Sequence, residues 1–123
     1  MAAGTMTLTE VGHGSVKKIR AAWTSGTGAE GGTASATTTL PYSGRCIALV
    51  TDPGSTAPTD NYDLVVTDVD GDDVLVGAGM NRDTANTEVV SEASLGGVAG
   101  SKLTFSITNA GDAKEGLALL YIR

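Results

Sequence analysis

Apolar and polar positions alternate with a period of two in several segments of this chain, most cleanly at 102–108. Glycine, proline, asparagine and aspartate break the alternation at short intervals. A period of two marks a strand with one buried face. Over residues 15–24 it sets Lys17, Ile19, Ala21 and Trp23 on one face and Val16, Lys18, Arg20 and Ala22 on the other. Residues 37–40 read as a short strand ended by Pro41, and Tyr42-Ser43-Gly44 reads as a turn. The nearly continuous apolar run at 45–51 predicts a central buried strand. Residues 62–68 turn Tyr62, Leu64 and Val66 inward. Asp70-Gly71 predicts a type I′ hairpin turn, with residues 74–76 as the returning strand. A loop at 77–86 leads to a strand at 87–92, and Gly96, Gly97 and Gly100 flank a further turn. Residues 102–108 alternate most cleanly, with Leu103, Phe105 and Ile107 on one face, and residues 117–122 form the last strand. The predicted core is Ile47, Leu49, Leu64, Val66, Leu103, Phe105, Ile107, Leu117 and Leu119.

Eight or nine short strands with turn signals every 8–12 residues predict an all-β fold, an antiparallel β-sandwich or jelly roll. Residues 15–123 read as one such domain. Residues 1–14 read as a short strand or as an N-terminal arm that orders on a partner. Their Thr5, Thr7, Thr9 alternation is strand-like, but Met6, Leu8 and Val11 supply little apolar bulk. Composition sharpens this picture. There are 17 glycines and 17 threonines but only one Phe, one Trp and three Tyr, so the core is lightly furnished with aromatics. Residues 25–36 carry almost no apolar bulk and predict a long exposed loop.

Charge and chemistry narrow the function classes. At a net charge of −6, a nucleic-acid binder resting on phosphate neutralisation is not expected. No apolar run reaches the roughly 20 residues of a membrane helix, and no secretory signal is expected at the N-terminus. The single Cys46 excludes an internal disulfide and, in its apolar run, reads as a buried filler. His13, between two glycines, reads as a solvated loop residue. Asp68-Val69-Asp70-Gly71-Asp72-Asp73 has the alternate carboxylates of a calcium loop. Its twelfth position is Gly79 rather than the bidentate Glu an EF-hand requires, so it reads as a hydrophilic turn. The glycine strings at 26–28 and 31–32 lack the following Gly-Lys-Ser/Thr of a phosphate cradle, and no catalytic residue, metal site or cofactor is expected. Lys17, Lys18 and Arg20 form the one basic cluster. They read as a solvated strand face or as a contact for an acidic partner.

Four blocks carry a resemblance: 41–45 (PYSGR), 58–63 (PTDNYD), 79–88 (GMNRDTANTE) and 120–123 (LYIR). They resemble small proteins encoded in the structural modules of tailed bacteriophages, over roughly residues 16–123. The resemblance implies a virion protein, first of all a capsid decoration (cement) protein on the outer capsid surface. The implied partner is the major capsid protein, and the implied state a homotrimer without nucleic-acid or membrane contact. Within this reading the candidate capsid or subunit contacts are Thr5, Met6, Thr7, Leu8, Lys17, Lys18 and Arg20. The alternatives are a head–tail connector, tail or fibre component, or a carbohydrate-binding β-sandwich module. The last would need exposed aromatics on which sugars stack.

Overall fold

The computed structural model describes residues 2–123. Among these the chain forms nine strands: β1 (Thr5–His13), β2 (Val16–Thr24), β3 (Ala34–Thr37), β4 (Tyr42–Pro53), β5 (Asp63–Thr67), β6 (Glu88–Ser91), β7 (Gly97–Ser101), β8 (Thr104–Thr108) and β9 (Glu115–Ile122). They build two antiparallel sheets. The larger runs β1-β2-β9-β4-β6, with β7 pairing the first part of β4, and the smaller runs β3-β8-β5. The protein is therefore all-β, as the alternation predicts.

The core lies between the two sheets. From the larger come Ile19, Ala21, Trp23, Cys46, Leu49, Ala118, Leu120 and Ile122; from the smaller come Ala34, Leu64, Val66, Phe105 and Ile107. Trp23 and Tyr62 bridge the layers with ring centroids 5.5 Å apart, tilted by 52°, an edge-biased geometry that aromatic pairs favour. Six of the nine predicted core residues are buried: Leu49, Leu64, Val66, Leu103, Phe105 and Ile107. Leu117 and Leu119 are not; β9 buries Gly116, Ala118, Leu120 and Ile122 instead. The run LALLYI is apolar on both parities, so the pattern alone cannot choose its inward face. Ile47 is half-buried, because the β4–β9 register shifts between Cys46 and Ala48 and leaves it without a partner.

Several local expectations are corrected. Tyr42-Ser43-Gly44 is not a turn but the start of β4. Residues 97–101 are a strand rather than a glycine-flanked turn. The strand expected at 37–40 sits three residues earlier, as β3. Residues 74–76 do not return as a hairpin strand. Asp73 accepts hydrogen bonds from the N–H groups of Leu75 (3.0 Å) and Gly77 (2.8 Å) and winds the chain into successive turns instead. Val76 there takes φ +52°, a costly conformation for a β-branched residue. The 25–36 segment is not an exposed loop: Ser25, Gly26, Gly32 and Ala34 are buried. Gly26 N donates to Thr33 O, Thr27 N donates to Ala2 O, and a Cβ at Gly26 would collide with the Ala2, Glu30 and Gly4 backbone. This segment packs by backbone, which needs no side-chain bulk.

Candidate docking faces

Residues 5–13 pair with β2 in nine register steps, from Thr5↔Thr24 to His13↔Val16, across the two-residue turn Gly14-Ser15. The N-terminal segment is thus an integral edge strand of the larger sheet. Its alternation sends Met6 and Leu8 inward, where they pack against the core. Glu10 follows them and clamps the strand down. Its carboxylate accepts hydrogen bonds from Thr39 N (2.9 Å), Thr39 Oγ1 (2.9 Å), Leu40 N (3.1 Å) and the Tyr42 hydroxyl (2.8 Å). Burial by itself would raise the Glu10 carboxyl. The bonds from Thr39, Tyr42 and Leu40 outweigh it and hold the group below its ordinary pKa. The Tyr42 hydroxyl is pushed upward, by burial first and then by the Glu10 carboxylate it faces.

The opposite parity forms the outer face of the larger sheet, in rows set by the register. One row runs Thr9, Arg20, Leu119, Val50, Val89 across five strands. The next runs Val11, Lys18, Tyr121, Ala48, Ser91, and a third runs Thr7, Ala22, Leu117, Asp52. Leu117, Leu119, Tyr121 and Val50 are half-buried and Val89 is 70% exposed. Beyond Tyr121 the sheet ends in Arg123, whose backbone exchanges two 2.9 Å hydrogen bonds with Arg45. Half of the chain's eight Lys and Arg residues, Lys18, Arg20, Arg45 and Arg123, therefore border one apolar strip. Of these only Arg45 has an ion pair among the described residues, with Glu92 at 2.9 Å. At the other end of the face Thr5, Thr7, Arg20, Asp52 and Glu115 line a shallow depression of about 500 Å³.

The smaller sheet presents a different outer surface. Ser35, Ser106 and Val65 form one row and Thr37, Thr104 and Thr67 another. The Thr37 and Thr104 hydroxyls are 2.8 Å apart. This is a hydroxyl-studded face with little apolar area. Its far end is closed off at Asp63, which is buried and accepts from Asn81 N (2.9 Å) and Asn109 Nδ2 (2.7 Å).

Of the residues singled out in the sequence, Thr5, Thr7, Lys18 and Arg20 come together on the larger sheet's outer face. Met6 and Leu8 face the core, and Lys17 points to the sheet end, with Nζ donating to Ser43 O at 3.4 Å. Sequence reasoning missed Leu119, Tyr121, Val50, Val89, Arg45 and Arg123 as members of this face. The one available signal was the both-sided apolarity of β9 and β4, which leaves an outward as well as an inward apolar set. Among the described residues no group of three or more His, Cys, Asp or Glu is placed to hold a metal ion. The Asp68 and Asp73 carboxylates are instead engaged by backbone N–H groups. Cys46 is fully buried, and burial together with the Asp73 charge pushes its thiol up to about 11. No protein family, curated protein or solved structure matches the chain.

Proposed function

We propose that the protein is a structural component of a bacteriophage particle, a decoration protein that sits in many copies on the outer capsid surface and stabilises it. The observation that carries this reading is a single one: the sandwich leaves both of its outer sheet faces open, and the two differ in chemistry. A protein that lies on a repeating shell uses one face for the shell, and one that also meets its own neighbours uses a second, unlike face. The apolar, cation-bordered face and the hydroxyl-studded face supply them back to back. Many weak contacts repeated around a shell give firm attachment without a large single interface. The remaining surface is acidic, which opposes a place beside packaged DNA. The resemblance of four sequence blocks to tailed-phage structural proteins supports a phage capsid as that shell.

The test is location. Labelled protein is added to separated heads and tails from particles that carry it, and bound protein is read by electron microscopy and sedimentation. Saturable binding to heads is expected. Binding confined to tails, or to neither, overturns the assignment.

A further inference from the structure

We infer that the outer face of the larger sheet is the receptor for the Asp68–Asp73 turn of a second copy of this chain, giving a head-to-tail contact between neighbouring molecules. The inference deepens the reading above and rests on the protein working in many copies.

The face itself states what it will accept. Its apolar strip runs from Leu119, Tyr121 and Val50 out to Val89 on the edge strand β6, and Lys18, Arg20 and Arg123 border it, none of the three within salt-bridge distance of a carboxylate among the described residues. The face carries carboxylates of its own at one end, Asp52 and Glu115 beside Arg20, but Lys18 and Arg123 have no carboxylate within salt-bridge distance among the described residues and are left for an acidic partner. The occupant must offer an apolar projection with carboxylates beside it. The chain carries such a projection elsewhere on its own surface. Val69 is 73% exposed, the most exposed large hydrophobic residue described, and it stands between Asp68 and Asp70 in the turn that follows β5. Asp70 and Asp72 are exposed and form no ion pair.

The turn is also already ordered. Asp68 Oδ1 accepts from the N–H groups of Asp70 (2.9 Å) and Asp72 (3.0 Å), and Val69 N donates to Ser101 Oγ at 2.9 Å. A projection held in shape before contact loses little conformational entropy on docking. The acceptor is equally rigid, being the middle of a five-strand ladder. Face and projection are different patches of one surface, and where each neighbour supplies only one of them the contact is heterologous. It closes into a ring if its rotation permits and otherwise runs on as a filament. The hydroxyl-studded face stays free for the shell.

Charge swapping on the full chain tests this, read by sedimentation velocity, with circular dichroism and melting confirming that each variant folds. The wild type is expected to assemble with rising concentration and to weaken at least tenfold between 0.05 and 0.5 M NaCl, about 1.4 kcal/mol or more. Lys18→Glu with Arg20→Glu, or Asp70→Lys with Asp72→Lys, should each leave monomers at concentrations where the wild type is assembled. All four substitutions in one chain should restore assembly. A wild type that stays monomeric overturns the inference, as does assembly indifferent to the Asp70/Asp72 reversal. Head binding by the monomeric double variants is measured separately: if it persists while wild-type assembly is absent, self-docking falls and the capsid reading stands.

Discussion

The Tyr42 hydroxyl on β4 donates to Glu10 Oε1 on β1 at 2.8 Å, joining two strands that are 32 residues apart in the chain. With Thr39 and Leu40 adding three further bonds, Glu10 fastens the edge strand to the β3–β4 connection. A carboxyl held below its ordinary value of 4.5 contributes its full stabilisation above that value. It loses that contribution as pH falls through the lowered folded value. Glu10→Gln should cost about 1–2 kcal/mol at pH 7. The gap between wild type and variant should narrow as pH falls below the ordinary carboxylate value and close once it has passed the lowered folded value. Melts followed by circular dichroism from pH 2.5 to 7 check this. A gap that is constant with pH would mean the carboxylate's charge contributes nothing.

Gly116 lies directly opposite Trp23 in the β2–β9 ladder, and the Trp23 ring occupies the space a Cβ would need. Gly116→Ala should therefore overpack the core and destabilise by about 1–3 kcal/mol, despite the better strand propensity of alanine. Urea titration followed by Trp23 fluorescence reads both the loss and the ring's displacement.

Phe105 is fully buried, whereas Leu119 lies on the outer face. Phe105→Ala should cost about 3–5 kcal/mol. Leu119→Ala should cost less than half as much, because most of the cavity penalty is absent on an open face. Equal losses in denaturant titration would place Leu119 in a closed core and contradict the register of β9.

The Cys46 thiol is fully buried and pushed up to about 11. Only the thiolate reacts readily. A disulfide reagent such as DTNB at pH 8 should leave native protein unlabelled and modify one thiol per chain after unfolding. Rapid labelling of the native state would show that the β4–β9 region opens easily.

Removing residues 2–12 should be strongly destabilising. The deletion strips nearly all of β1 from β2, takes Met6 and Leu8 off the core and abolishes the Glu10 clamp. It also leaves β2 as a raw sheet edge, which invites aggregation. The expected outcome is a large fall in melting temperature or insoluble protein; unchanged melting would mean the strand is dispensable to the fold.

The candidate faces were legible only in part. Lys18 and Arg20 are two residues apart and share a strand phase, so their common side was readable from β2 alone. Arg45 and Arg123 join them through pairing across 78 residues of chain, which no local pattern reports. The N-terminal strand was readable as strand-like, but its partner was not. The cue was the Gly14-Ser15 turn joining two alternating segments, a hairpin signal weaker than Asn-Gly or Asp-Gly.

The strand class and much of the core were determined by the sequence itself. Leu103, Phe105 and Ile107 alternate with polar neighbours, and only one phase of such a strand can be buried without also burying polar side chains; Leu64 and Val66 share the inward phase of β5. Three things were decided by tertiary structure alone. The inward phase of β9 was settled by its two neighbours and by the room Gly116 gives Trp23, since both phases are apolar. The packing of residues 25–36 was settled by backbone meeting backbone, which leaves no hydrophobic mark in a sequence. The outward faces were settled by register, because a residue's neighbours across a sheet lie about 5 Å away in space at any distance along the chain.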